Sequence, residues 1–551
     1  MMDWKSHLIV APILLPLVTA AVLLLIDERS RKLKMAINSL STLGLIGIAC
    51  MLVGMASEKA PEAIVYLIGN WPAPFGIVLV LDRLAALMLL LASLLGMAAL
   101  SFALAHWHKA SPHFHTIFQL LLMGLNGAFL TGDLFNLFVF FEVMLAASYG
   151  LALHGSGPAR VKAGLHYIAV NLVASSLFLI GVSLIYGVTG TLNMADLAQR
   201  ITQVAPEDRM LLEAGAAVLG VAFLIKAGMW PLNFWLAPTY TAAAAPVAAI
   251  FAIMSKVGIY VLLRLSPLMF GLDAGSSYGF GNDWLYFGGM VTLAFGLIGV
   301  VASQAMGRLA SYSILVSSGT LLAAIGSGNT AMAGAALFYM VSSTLTIAAF
   351  FLLIELVERG QDAAANVLAV TMEAYGDDEE EEEEEEVGAV LPATLAILGT
   401  FFAICAILLI GLPPFSGFIA KFLILAAVFN GDGAAPQLAM PVSPASWALI
   451  ALILLSGLSA LIAMTRTGIR TFWASLEGNV PRVLVREVVP IAGLLALCLA
   501  LTIAAGPAMR YMDETARSLH NPSDYINSVL KAPKVEYGPS KATDAQAAGV
   551  E

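Results

Sequence analysis

Apolar residues gather into runs of about 20 along this chain, separated by short polar stretches. That is the length one helix needs to cross a ~30 Å hydrocarbon core. The runs fall at 8–26, 35–56, 84–105, 116–131, 133–153, 162–187, 210–240, 246–265, 284–302, 309–326, 332–357, 391–428, 446–465 and 488–509. They predict an all-α polytopic membrane protein of about 14 transmembrane helices, because an isolated strand leaves backbone groups unsatisfied in lipid. The seventh and twelfth runs are overlong and carry prolines: Pro231 in "GMWPLNF", and Pro413 and Pro414 in "GLPPFSG". Proline removes a backbone donor and frees a carbonyl one turn back, so helices 7 and 12 are expected to be discontinuous.

The basic residues between runs orient the bundle. Arg29, Arg31, Lys32, Lys34, Arg160, Lys162, Arg308, Arg466, Arg470, Arg482 and Arg486 fall between runs on one side by parity. The opposite loops hold few: Lys59, Arg83, Arg200, Arg209 and Arg264. The basic side is expected to be cytoplasmic, which places both termini and a polar tail after Arg510 outside. The first run is too long for a signal peptide's apolar region, and its basic cluster follows rather than precedes it, so a retained helix is expected. Ten consecutive acidic residues at 377–386 lie between runs 11 and 12, a self-repelling cytoplasmic stretch. It reads as a solvated loop or, alternatively, as a cation-concentrating antenna or a contact for a basic partner protein.

Composition agrees: of 551 residues 60% are hydrophobic and 12% charged, against roughly 25% charged in soluble domains. Cys50, Cys405 and Cys498 all sit inside apolar runs, so neither a disulfide framework nor a metal cluster is suggested. No cofactor and no nucleic-acid partner is implied.

Four ionisable residues lie deep within runs: Glu142 in "FNLFVFFEVMLAASYG", Lys226 in "FLIKAGMWP", Lys256 in "IFAIMSKVGIYVLLR" and Lys421 in "GLPPFSGFIAKFLIL". A lysine at mid-membrane costs about 2.5–3.5 kcal/mol on insertion scales. One alone could tie two helices together or snorkel to the headgroups. Four on four helices must pair or line a hydrated cavity. Lys226 and Lys421 each adjoin a break, and half-helix ends at such breaks are where transporters build ion sites. A lysine whose pairing with Glu142 can form and break would take up and release a proton.

These segments, with "GRLASYSILVSSG", resemble the antiporter-like subunits of respiratory complex I and of the multisubunit Mrp/Pha/Mnh cation/proton antiporters. The resemblance runs from helix 1 to helix 14 and fits best the D-type antiporter subunit. It implies three N-terminal helices over 1–110 and two inverted five-helix repeats over 111–266 and 284–466. The second repeat carries the acidic loop 358–388, and helix 14 with the tail fills 487–551. It further implies a gating pair Glu142–Lys226, a central relay at Lys256 and a distal proton site at Lys421. Several relatives carry histidines in helix 11, where Tyr339 and Ser343 stand here. Waters held by Tyr339, Ser342 and Ser343 would then bridge Lys256 to Lys421. His166 is a further candidate near the cytoplasmic end, or else a satisfied helix-end histidine. The M-type subunits of complex I usually have glutamate where Lys421 stands, which separates the two groups.

The expected function is that of a proton-translocating subunit of a Na⁺ or K⁺/H⁺ antiporter in a bacterial inner membrane, a transporter rather than an enzyme. Sister membrane subunits, protons and Na⁺ or K⁺ are its expected partners. The alternatives are a pump subunit of an NADH:quinone oxidoreductase or related hydrogenase, and a passive scaffold. Four costly intramembrane charges argue against the scaffold, which would do better with apolar packing.

Overall fold

A computed structural model describes residues 7–110, 112–373, 392–430, 443–473 and 483–534. The helices are α1 (Ala11–Leu25), α2 (Arg31–Lys59), α3 (Arg83–Ala103), α4 (Phe114–Leu130), α5 (Leu134–Ala152), α6 (Pro158–Thr189) and α7 (Arg209–Ala227). They continue as α8 (Ala245–Phe270), α9 (Asn282–Ala302), α10 (Met306–Gly326), α11 (Thr330–Glu373), α12 (Pro392–Ile410), α13 (Ser416–Asn430), α14 (Pro444–Gly468) and α15 (Val485–Ile503). Among the described residues 11 helices are long and apolar enough to cross a membrane. This is an all-α polytopic bundle. Both predicted breaks are present. The seventh run ends at Ala227 and resumes as a short helix Leu236–Ala242, and the twelfth is split into α12 and α13.

Lipid offers no hydrophobic drive for one helix to seek another, so close approach depends on small residues. α9 and α10 meet through Gly289 and Gly319, where an added Cβ would run into the facing backbone at Ala323 and Leu293 respectively. α8 is buried along almost its whole length, which makes it the central post of the bundle.

The loops segregate by parity. At one end Leu79 pairs with Thr131 and Asp133 with Asn193 in isolated bridges. At the other, Arg160 Nε donates to the Ala242 carbonyl at 2.8 Å and Arg466 to the Ser303 carbonyl at 2.6 Å. Here too Trp107 donates to both oxygens of Glu355 at 2.8 Å, and Arg359 reaches Glu355 and Glu487, each at 2.7 Å.

Three expectations change. A two-stranded antiparallel hairpin, β1 (Ile64–Leu67) and β2 (Val78–Leu81), was not anticipated. It is tolerable because the strands pair with each other at the bundle end, where the Gly132 N–H also donates to the Val78 carbonyl at 3.0 Å. The residues after Arg510 are not simply a polar tail. α16 (Ala505–His520) and α17 (Ser523–Leu530) bury Met512, Ala516, Tyr525 and Val529. Arg264 is not a loop residue but a buried one in α8. Its guanidinium donates to both oxygens of Asp82 at 2.9 Å and to Tyr260 Oη at 3.0 Å, with the Tyr525 ring 5.4 Å away. The acidic tract 377–386 lies outside the described residues.

Removing one partner of a buried pair strands the other, at a cost on the order of 3–5 kcal/mol. Asp82→Ala should therefore lower the thermal unfolding midpoint of the solubilised protein clearly. Arg83→Ala should lower it less, because its partner Glu514 is 48% exposed and surface pairs contribute about 0–1 kcal/mol. His154, in the α5–α6 loop, bonds the Trp107 carbonyl through Nε2 at 2.6 Å. Burial foremost, with the Arg160 charge, holds its imidazole below the ordinary histidine range against that bond. The neutral ring thus supports the fold above the unfolded-state value of about 6.5, and this support is lost as pH falls below it. His154→Gln should flatten the fall of the unfolding midpoint as pH drops below about 6.5.

Candidate functional site

The first cluster is built on α5, α6 and α7. Asp133 caps α5 by accepting from the Asn136 N–H at 2.8 Å, and the helix then carries Glu142 into the bundle. α7 ends at Gly228, whose φ of 76° suits the left-handed cap that glycine adopts without steric cost. Lys226, two residues earlier, is only 1% exposed. Its Nζ donates to Asn171 Oδ1 at 3.3 Å and Tyr167 Oη at 3.4 Å. It also lies 5.6 Å from the Phe141 ring centroid and 5.4 Å from that of Tyr167. Tyr167 Oη pairs in turn with Ser148 Oγ at 2.6 Å. Glu142 accepts a hydrogen bond from Ser175 Oγ.

The resemblance implied a Glu142–Lys226 pair, but among the described residues no ion pair joins them. Each rests on a different residue of α6. Tyr167, Asn171 and Ser175 are spaced by four, so they form one stripe on that helix. The stripe supplies neutral partners to both charges. These residues escaped the sequence reading, although three polar side chains at helical spacing in an apolar run were a usable signal.

The linker after α7 is fastened to the second half of the chain, with the Trp230 N–H donating to Thr292 Oγ at 2.9 Å. Trp235 Nε1 donates to the Ile225 carbonyl at 3.2 Å, which also accepts the capping Gly228 N–H. Pro231, Trp230 and Phe234 face outward from the bundle, the last 61% exposed.

The second cluster joins α8, α10, α11, α13 and α14. Lys256 is 1% exposed and donates to Ser317 Oγ at 2.9 Å. Ser317 and Ser343 hydroxyls are 2.9 Å apart. Lys421 is partly buried and donates to the Leu409 and Ile410 carbonyls at 3.1 and 2.9 Å. These are the last carbonyls of α12, where the helix presents its partial negative charge. Ser342 Oγ lies 2.8 Å from Ser416 Oγ at the start of α13. Pro413 and Pro414 lie between, exposed at the outer surface with Leu412.

A cavity of about 30 Å³ separates the two lysines' partners, lined by Ser317, Tyr339, Ser342, Ser343, Lys421 and Ser456 among others. At ~10–15 Å³ per water it has room for about two. Tyr339, Ser342 and Ser343 thus come together as the sequence suggested, and Ser317 joins them unforeseen. His166 does not. It is exposed on α6 and bonds the Lys162 carbonyl at 2.9 Å.

Amines held by neutral oxygens at two helix breaks and on α8, with hydroxyls and water space between Lys256 and Lys421, define a membrane bundle built to handle charge inside itself. Residues 131–443 match the family described as NADH:quinone oxidoreductase/Mrp antiporter, TM, and the chain belongs to that family. It is 63% identical, over 97% of its length and 99% of the relative's, to the D-type subunit of a probable K⁺/H⁺ antiporter from Rhizobium meliloti (strain 1021). It is 33% identical, over 96% of its length and 100% of the relative's, to the D-type subunit of a Na⁺/H⁺ antiporter from Alkalihalophilus pseudofirmus. Among solved structures it resembles a chain of the Mrp complex from Dietzia sp. DQ12-45-1b, with a TM-score of 0.77 at 27% identity over 96% of this chain and all of that one. A chain of an archaeal membrane-bound sulfane sulfur reductase shares the fold, with a TM-score of 0.78 at 23% identity, over 96% of this chain and 99% of that one.

Asn171→Ala removes one of the two oxygens to which Lys226 Nζ donates. Losing a hydrogen bond to a charged group costs about 1.5–3 kcal/mol, so proton turnover in vesicles should fall about tenfold while assembly of the complex is unchanged.

Proposed function

We propose that this chain is the proton-translocating subunit of a multisubunit K⁺/H⁺ or Na⁺/H⁺ antiporter, and that Glu142, Lys226, Lys256 and Lys421 move the proton. The name of the 63% identical relative favours K⁺ as the exchanged cation. One observation carries the reading: Lys226, Lys256 and Lys421 are held by neutral oxygens, without an ion pair among the described residues. A lysine locked to a carboxylate would be a structural tie. A lysine solvated by hydroxyls, an amide and carbonyls keeps both protonation states accessible as its surroundings change.

In this reading the structure holds Lys226 in the released position of a switch whose other position is a pair with Glu142. Moving between them shifts one charge across the α6 stripe and biases the next lysine, Lys256, toward giving up its proton. Ammonium donors repel metal cations, so K⁺ or Na⁺ passes through sister subunits rather than here. The two inverted repeats, 111–266 and 284–466, each contribute one broken helix. The chain lies in a bacterial inner membrane with its basic loops cytoplasmic and both termini outside.

The test uses inverted membrane vesicles carrying the whole complex, from cells without their own antiporters. Adding K⁺ or Na⁺ should collapse a pre-formed pH gradient with wild type. With Lys226→Ala the collapse should slow at least about tenfold, the equivalent of ~1.4 kcal/mol, with the complex still assembled. Undiminished collapse in the variant would make Lys226 structural. No collapse in wild type with either cation would favour a redox-driven pump.

A further inference from the structure

Lys256 on α8 and Lys421 on α13 have no hydrogen bond to each other. Between them stands a line of hydroxyls. Lys256 Nζ donates to Ser317 Oγ at 2.9 Å, and Ser317 Oγ meets Ser343 Oγ at 2.9 Å. Both serines line the cavity whose far wall includes Lys421.

Serines in apolar helices commonly satisfy themselves on a carbonyl one turn back. Three other hydroxyls of α10 do so, Ser311 on Gly307, Ser313 on Leu309 and Thr320 on Val316, at 2.8–2.9 Å, while Ser318 makes no hydrogen bond among the described residues. Ser317 instead reaches across to α8 and α11. Helix stability does not ask for that arrangement. Tyr339 of α11 also borders the cavity and is the other titratable group on this path.

We propose that Ser317 and Ser343 form a two-hydroxyl proton wire that, with water in the adjoining cavity, passes a proton from Lys256 to Lys421. The inference rests on the proposed function and adds the route between two of its lysines. Donor order supports it. Ser317 accepts from Lys256. Either hydroxyl of the Ser317–Ser343 pair can donate. Because Ser343 donates to the Met340 carbonyl at a long 3.3 Å, Ser317 is the donor between them, and Ser343 must turn from Met340 to reach the cavity water. The chain of donors thus points away from Lys256.

In transfer, one N–H bond of Lys256 breaks as an O–H bond forms on Ser317. Ser317 gives its original proton to Ser343, Ser343 gives its own to a cavity water, and that water protonates the lone pair of a neutral Lys421. A neutral amine keeps two N–H groups, and the Leu409 and Ile410 carbonyls can accept both. The lone pair remains as the acceptor. At the end Lys256 has lost one proton and Lys421 has gained one. Every hydroxyl and water keeps its composition but has reversed its direction, so the serines must rotate back before the next proton.

The experiment uses the assembled complex in the same vesicles, with wild type, Lys226→Ala, Ser317→Ala, Ser343→Ala and Ser317→Thr compared at equal complex content. Cation-driven gradient collapse is expected to slow at least about tenfold in each alanine variant, as for loss of a proton-transfer group. Ser317→Thr, which keeps the hydroxyl, is expected to retain most of the rate. Wild-type rates in Ser317→Ala or Ser343→Ala, with Lys226→Ala inactive, would overturn the wire and leave the antiporter reading standing. Equal loss in Ser317→Ala and Ser317→Thr would also overturn it, since the hydroxyl would then not be what matters. If Lys226→Ala runs at the wild-type rate, Lys226 is structural and the lysine path of the proposed function fails with it; absence of collapse in wild type is what would overturn the antiporter reading. Should Ser317→Ala not assemble, Ser343→Ala decides by the same criteria.

Discussion

An amine inside a hydrocarbon layer has to be given oxygen, and the rest of this molecule is arranged around that requirement. Unfolding a stretch of helix is one way to supply it, because the last carbonyls before a break have no helical donor. Lys421 takes two such carbonyls. Polar side chains are another: Lys226 takes an amide and a phenol, and Lys256 a hydroxyl. The small residues that let α9 and α10 close on each other, and the burial of α8 on all sides, keep lipid away from these contacts.

Opposite charges are placed differently. The close, fork-shaped pairs stand at the ends of the bundle: Asp82 with Arg264 at one end, Glu355 and Glu487 with Arg359 at the other. Full pairing there fixes geometry at the price of mobility. Deeper in, neutral partners hold a charge less firmly, and the 3.3–3.4 Å contacts of Lys226 are long for hydrogen bonds. The chain is thus fastened where it should stay still and loosely solvated where a proton has to come and go.

Much of this was legible beforehand, for identifiable reasons. Proline in an apolar run has one meaning for a helix, so both breaks could be placed to within a few residues. A charge deep in such a run is costly enough to be noticed. Ser317 was not legible, because a serine costs little in a membrane helix and only the neighbouring helix shows which of them turns outward, whereas Asn171 and Tyr167 were missed despite their helical spacing. Arg264 was misplaced because it sits close enough to a helix end to read as a loop, and its partner Asp82 lies far away in sequence. The β1–β2 hairpin hid among glycines and prolines that read as an ordinary connection. α16 was lost in the charges of its outer face.

The two linkers at the breaks come to the surface. Trp230, Pro231 and Phe234 of one, and Leu412, Pro413 and Pro414 of the other, lie on the flank of the bundle rather than in its interior. In mechanical terms the molecule is a frame with stiff rims and two irregular segments set in its side walls. A push on either rim meets ion pairs and is resisted. A neighbour pressed against the wall has direct purchase on the segments that end at Lys226 and begin just before Lys421. The irregular segments are thus open to contact from the side, whereas the ion-paired rims are closed to it.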